Sequence, residues 1–203
     1  MASAARDGKA QLGSSAQPSR SVVLGVAVSL DGYIARTDGR VDWLKMDRKF
    51  DFAGYLKTFD VVLAGRKTLD PESGRRGGGA FKMACYIFSR TRPPGRKNGA
   101  EYVNRPPGEL VRELKARPGK DIWLMGAGEL AREFLKEDVV DRMDLGIIPT
   151  LLGDGIPLFP RGFPQREFAL KSVQAYPSGI VMASYERTHP VARRSQRGKR
   201  STG

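Results

Sequence analysis

Three short segments carry residue types that can grip a phosphate. Gly65-Arg66-Lys67-Thr68 joins a glycine, which lets a ligand approach the backbone, to two bases and a hydroxyl that can cap a helix or meet a phosphate oxygen. Phe88-Ser89-Arg90 adds a second hydroxyl and base. Gly126-Ala127-Gly128-Glu129-Leu130-Ala131 fits G-x-G-x-x-G/A, in which amides at a helix N-terminus bind a pyrophosphate. Each segment alone is a weak signal. The first lacks the earlier glycine of a Walker A loop. The third comes late, with 75 residues still to follow, and Asp141 and Asp144 precede the next apolar run instead of ending it. Together they say more. All three follow strand-like apolar runs, so in a parallel sheet they would face one crevice.

Other chemistries are poorly supplied. Cys85 lies inside an apolar run and reads as core, and His189 is the single histidine. No nucleophilic triad, disulfide framework or histidine-rich metal site can be assembled, so no metal is expected. A phosphate-gripping crevice without nucleophile or metal suits chemistry carried by a cofactor. Hydride transfer from a nicotinamide is the leading case.

The charge supports a local site. The 203 residues carry a formal net charge of +13, which at first points to a nucleic-acid binder. Residues 188–203 hold five bases and no acid, and residues 1–20 hold three bases and one acid. Both segments are rich in Ala, Ser, Gly and Gln and read as disordered tails around a single domain over 21–187. Residues 65–97 hold nine bases against two acids, and the remainder of the domain is close to neutral. One basic patch suits a small phosphorylated ligand, and no nucleic-acid partner is expected from it. A solvated loop is the plainer reading of the same patch. No apolar run approaches 18 residues, so no membrane partner is expected. The single cysteine and the absence of an apolar leader suit a cytoplasmic protein.

The elements that must position these segments follow from apolar spacing. Ser21–Leu30 is dense in Val and Leu and reads as a central strand buried on both faces. Asp31-Gly32 turns the chain into a short extended stretch at Tyr33-Ile34-Ala35. A helix is expected near 47–58, then strands at 61–64 and 84–88, with loops over 70–82 and 91–99. A short strand at 102–103, a helix over 107–117, a strand at 122–125 and a helix from Glu129 follow. Arg142–Pro149 is a further strand, 151–162 a loop, and Phe168–Ala175 with Ile180–Glu186 a hairpin. Alternating strands and helices ending in a local pair predict an α/β domain: a mostly parallel sheet flanked by helices, with an antiparallel hairpin at its edge.

In order along the chain, five motifs resemble the dihydrofolate reductase-like superfamily, and within it the branch around the C-terminal reductase domain of bacterial riboflavin biosynthesis. They are Val28-Ser29-Leu30-Asp31-Gly32-Tyr33-Ile34-Ala35, Val62-Leu63-Ala64-Gly65-Arg66-Lys67-Thr68, Ile87-Phe88-Ser89-Arg90, Leu124-Met125-Gly126-Ala127-Gly128-Glu129-Leu130, and Pro149-Thr150-Leu151-Leu152-Gly153-Asp154-Gly155-Ile156-Pro157-Leu158-Phe159. The resemblance implies a dihydrofolate reductase-like fold with NADPH across the strand ends. Gly65, Arg66, Lys67 and Thr68 would hold the pyrophosphate and adenosine phosphate. Ser89 and Arg90 would meet the adenosine 2′-phosphate. Gly126, Ala127, Gly128, Glu129 and Leu130 would lie against the pyrophosphate and nicotinamide ribose. Val26 and Ala27 would meet the nicotinamide through backbone. The family often has Gly-Gly where this chain has Gly126-Ala127.

For the substrate the resemblance offers candidates with alternatives. Asp31 borders the substrate in the riboflavin-type branch, or is a turn former before Gly32. Asp51 stands near the place of the folate enzymes' catalytic carboxylate, or is a surface helix acid. Trp43 stacks on a planar substrate, or is core. Thr150, Leu151 and Gly153 line the pocket, or form a plain loop. The implied activity is an NADPH-dependent reductase, delivering hydride to a C=N or C=O bond of a small heterocycle, with Asp31, Asp51 or water giving the proton. A true dihydrofolate reductase and a basic nucleic-acid binder are the alternatives. No H-x-E or P-C-x-x-C zinc pattern occurs, so a stand-alone reductase without a deaminase domain is expected. The branch also implies a homodimer.

Overall fold

The computed structural model describes residues 20–69 and 82–188. The loop expected over 70–82, except Lys82, lies outside these residues, as do His189 and the tails expected over 1–20 and 188–203, except Arg20 and Thr188. The chain runs β1 (Val22–Ser29), β2 (Tyr33–Ala35), α1 (Phe52–Leu56), β3 (Phe59–Gly65) and α2 (Arg66–Leu69). It continues through β4 (Ala84–Phe88), β5 (Gly95–Lys97), β6 (Ala100–Val103), α3 (Pro107–Lys115), β7 (Asp121–Met125) and α4 (Glu129–Lys136). Then come β8 (Arg142–Ile148), β9 (Ile156–Pro157), β10 (Phe168–Ala175) and β11 (Val181–Arg187).

Nine strands form one sheet in the order β10-β11-β8-β1-β7-β3-β4-β6-β5. The inner strands from β8 to β6 are parallel. The antiparallel β10–β11 pair closes one edge as expected, and β5 closes the other. Alternation along β1 explains the two-sided core. Val22 and Leu24 join Leu110 and Leu114 of α3 and Phe134 of α4 on one face. Val23 joins Phe59 and Trp123 on the other, against Tyr55 and Leu56 of α1 and Leu69 of α2. Gly25 makes the second face possible. A Cβ there would overlap the Tyr55 hydroxyl and stand 2.7 Å from Trp123 Nε1, which donates to the Gly25 carbonyl. No helix among the described residues is long and apolar enough to cross a membrane.

Three details differ from the sequence expectation. The helix expected near 47–58 is the short α1, because Asp51 accepts from Gly54 N at 2.8 Å and so caps the helix at Phe52. The 91–99 loop contains β5, folded back onto β6 through Asn98 (φ 52°) and Gly99 (φ 76°). That is an Asn-Gly hairpin turn. The third difference is Arg20, assigned to the tail by composition but only 6% exposed. Its guanidinium pairs with Asp60 and donates to the carbonyls of Lys120 (2.6 Å) and Leu114 (3.1 Å). Thr188 likewise belongs to the fold, its amide donating to Glu167 O at 3.0 Å.

Arg20→Ala is therefore expected to destabilise the protein. Asp60 is partly exposed, which limits the loss, but the buried Leu114 carbonyl and the Lys120 carbonyl also lose their donor. The expected cost is about 2 kcal/mol, read as a fall in Tm of about 4–8 °C. An unchanged Tm would return Arg20 to the tail.

Candidate functional site

The parallel strands do not end level. The β1–β7 ladder stops at Gly25 opposite Met125, whereas β1–β8 continues to Ser29 opposite Ile148. Val26, Ala27 and Val28 therefore border an opening where β7 has left the sheet. On the far side of that opening β3 ends at Gly65, paired with Phe88 of β4. Gly65–Thr68, Ser89-Arg90 and Gly126–Leu130 thus emerge at the same end of the sheet, and two of the segments touch. A Cβ on Gly126 would lie 2.9 Å from Thr68 Oγ1, and its φ of +99° independently favours glycine. Among the described residues a Cβ on Gly65 would meet only Leu130 Cδ2, at 3.9 Å, so they leave space over this glycine.

Gly128 (φ 66°) is the N-cap of α4, and no side chain caps that helix. Its own amide donates to Leu158 O at 3.1 Å, leaving the α4 terminus suited to an anion. Ala127, Leu130 and Val26 pack against the core, while Ala27 faces the opposite side. Glu129 is exposed and pairs with Arg132 on its own helix. Arg66 is half-buried, and Lys67 and Arg90 are exposed. Ser89 is buried, its Oγ accepting from the amides of Arg92 (2.9 Å) and Thr91 (3.3 Å). It shapes the turn that carries Arg90.

The other end of the opening, toward β8, is built differently. Asp31 is exposed, yet both its oxygens are engaged. Ser29 Oγ donates to Oδ1 at 2.5 Å, and the amides of Leu152 and Gly153 donate to Oδ2 at 2.9 and 2.7 Å. The Ser29 hydroxyl and these amides hold its carboxyl below the usual range. The clasp is therefore complete at ordinary carboxylate pH and above, and is lost as pH falls through the lowered value. Asp31 ties the 29–33 turn to the 150–153 loop, and Thr150 O adds a bond from Leu30 N at 2.9 Å. Leu151 is exposed beside them.

One candidate is corrected, and another has a structural role. Trp43 is 6% exposed, packed with Ile148 and Ile180, so its ring is core and not free to stack on a substrate. Its Nε1 is buried without a hydrogen-bond partner among the described residues. Asp51 is committed to capping α1, and the preceding Phe50 and Asp47 contact Tyr176 and Ser178 of the β10–β11 turn.

Other groups were not readable from the sequence. The tie from Gly32 O to Leu158 N, and from Leu158 O to Gly128 N, joins loops far apart in the chain. Tyr55, Arg142, Asp144 and Ser184 line a separate open cavity of about 340 Å³. There Ser184 Oγ and Tyr55 Oη donate to Asp144 at 2.7 and 3.2 Å, and burial first, then the Asp144 charge, push the Tyr55 phenol up. Those bonds fasten α1 to β8 and β11.

Residues 20–182 match the family model described as the RibD C-terminal domain, a match that begins at the buried Arg20. Two curated proteins of Bacillus subtilis (strain 168), both described as uncharacterized, are similar along most of their length. YyaP is 34% identical over 82% of this chain and 94% of its own, and YwjB 31% identical over 80% and 96%. Among solved structures, a Shewanella sp. PV-4 protein linked by its description to riboflavin biosynthesis superposes with a TM-score of 0.72 at 24% identity, covering 83% of this chain and 99% of that one. The Thermotoga maritima diaminohydroxyphosphoribosylaminopyrimidine deaminase/5-amino-6-(5-phosphoribosylamino)uracil reductase superposes at 0.61 and 16% identity, covering 84% of this chain and 57% of that one. The fold is that of the dihydrofolate reductase-like superfamily.

The space over Gly65 gives a clean test. Gly65→Ala is expected to change stability by no more than about 0.5 kcal/mol, because the added methyl meets only Leu130. It should nevertheless weaken a dinucleotide phosphate laid across the strand ends, measured by calorimetric titration. A variant that folds and binds NADPH as tightly as the parent would show that Gly65 does not line a dinucleotide site.

Proposed function

Because the chain belongs to the RibD C-terminal domain family, we propose that it is an NADPH-dependent reductase acting on a C=N or C=O bond of a small heterocycle. The observation that carries this reading is the stagger of β7 against β1, which opens the sheet between the glycine-bearing strand ends and the Val26–Val28 backbone. The residues there fit the cofactor. The space over Gly65 is a cradle that a Cβ would enter, and the α4 terminus has no side-chain cap.

When bound, NADPH would supply the hydride. The chain's own part is to bind, orient and shield. Gly65, Arg66, Lys67 and Thr68 would take the pyrophosphate and adenosine phosphate. Gly126, Ala127, Gly128, Glu129 and Leu130 form the opposing wall. Arg90, on the turn shaped by Ser89, would take the 2′-phosphate, since a guanidinium matches phosphate in geometry and charge. Val26 and Ala27 would offer backbone to the nicotinamide where the β7 ladder has ended. Asp31 would position the 150–153 loop over the substrate end. A carboxylate held ionised by three donors is a poor proton source at neutral pH, and Asp51 is engaged at its helix cap. Water at the open rim would therefore supply the proton.

Arg90→Glu tests the cofactor reading. It should weaken NADPH by about tenfold or more and leave NADH affinity within about twofold, since only NADPH carries the 2′-phosphate. Equal losses for both would sink the assignment of Arg90.

A further inference from the structure

The 150–158 segment runs from the β8 end of the opening to the start of α4. At the β8 end, Thr150 O accepts from Leu30 N, and the Leu152 and Gly153 amides donate to Asp31. Farther along, Gly155 lies against β2, where a Cβ would overlap the Ala35 carbonyl oxygen. Ile156 and Pro157 then form β9, paired with Ala35 and Tyr33. Leu158 N donates to Gly32 O at 2.9 Å, and Leu158 O accepts from Gly128 N at 3.1 Å. The segment is therefore a strap that begins at the Asp31 clasp and ends on the residue before α4. It also packs there: a Cβ on Gly128 would stand 3.6 Å from Ile156 Cγ2 and 3.9 Å from Pro157 O.

The strap has little structure of its own. β9 has two residues and β2 has three, and a two-stranded pair of that size is marginal by itself. The 29–35 turn holds it, and Ser29 with Asp31 organises that turn. The buried Ser29 hydroxyl donates to Asp31 and accepts from the Tyr33 amide at 2.9 Å, so it fixes both the carboxylate and the start of β2. Removing the Asp31 carboxylate would release the Leu152 and Gly153 amides and take away the acceptor of that hydroxyl. The loss would fall on both strands of the β2–β9 pair. At the far end, Gly128 O accepts from Arg132 N at 3.0 Å, so the residue held by the strap also opens the α4 ladder. The first amides of a helix have no intrahelical acceptor, and these are the donors a pyrophosphate would take. Charge-assisted hydrogen bonds of that kind depend on direction, and a loosened strap would misaim them.

We propose that the strap couples the two ends of the opening, and that Asp31 is a positioning residue for the pyrophosphate wall although it stands at the substrate end. This rests on the reductase reading for the dinucleotide at that wall. The coupling is reciprocal by linkage: a dinucleotide bound at α4 steadies the 150–153 loop at the substrate end.

The experiment uses 2′-phosphoadenosine diphosphate ribose, which has the pyrophosphate and 2′-phosphate of NADPH but no nicotinamide to place at the Asp31 end. It is titrated calorimetrically into the full chain. Asp31→Ala is expected to weaken this probe by about tenfold. Asp31→Asn keeps an acceptor for the two amides and should lose no more than about threefold. Arg20→Ala, at the opposite end of β1, should lower Tm and leave the affinity unchanged. A folded Asp31→Ala with parental affinity, or a loss in Arg20→Ala as large as that in Asp31→Ala, would overturn the inference. Should Asp31→Ala fail to fold, hydrogen exchange in the parent decides: the probe is expected to slow exchange over residues 150–153, and unchanged exchange there would overturn it. A parent that binds NADPH but not the probe would overturn it as well. A parent that binds neither would refute the reductase reading and the inference together.

Discussion

The architecture depends on the uneven ending of two neighbouring strands. β7 leaves the sheet at Met125, opposite Gly25, while β1 runs on four residues to Ser29 against β8. The departure is enforced locally. Gly126 takes a positive φ that ordinary residues avoid and lies so close to Thr68 that a Cβ would crowd the hydroxyl. Gly128 then takes another positive φ and starts α4 without a side-chain cap. An opening beside free strand backbone, with a helix terminus at its edge, follows from those two glycines. In open α/β sheets this is where ligands bind.

The opening is polarised by what surrounds it. Bases from the β3 and β4 ends meet glycines on one side. On the other, Ser29 and the amides of the 150–153 loop hold Asp31, with Leu30 and Leu151 exposed beside it. Of the bases in the 65–97 segment, Arg66, Lys67, Arg90 and Arg92 stand at the β3 and β4 end. Arg20, which composition alone assigns to a basic tail, is instead neutralised by Asp60 within the fold.

Much of this was legible in the sequence. The strands with dense Val and Leu, the hairpin around Tyr176–Gly179 and the order of the glycine motifs all announce themselves through apolar spacing and turn chemistry. Charge counting located the basic patch. What could not be read depends on long-range geometry. Nothing local to Asp31 says that its carboxylate receives the amides of Leu152 and Gly153, more than a hundred residues away. Trp43 has the composition of a stacking residue, and only the packing of Ile148 and Ile180 around it makes it core. Asp51 sits at the right place in the chain for a catalytic carboxylate, but the Gly54 amide makes it a helix cap. The Asn98-Gly99 turn was readable and was obscured by the prolines before it.

The central claim is that the staggered strand ends hold NADPH, with the 2′-phosphate recognised. Thermal unfolding of the unmodified chain with no cofactor, with NADH and with NADPH tests it most directly. At a hundredfold excess over its dissociation constant, a ligand that binds only the folded state stabilises it by about 2.7 kcal/mol. For a chain of this size that predicts a rise in Tm of about 5–10 °C with NADPH, and a clearly smaller one with NADH at the same concentration. No rise with either cofactor, or equal rises with both, would contradict the claim.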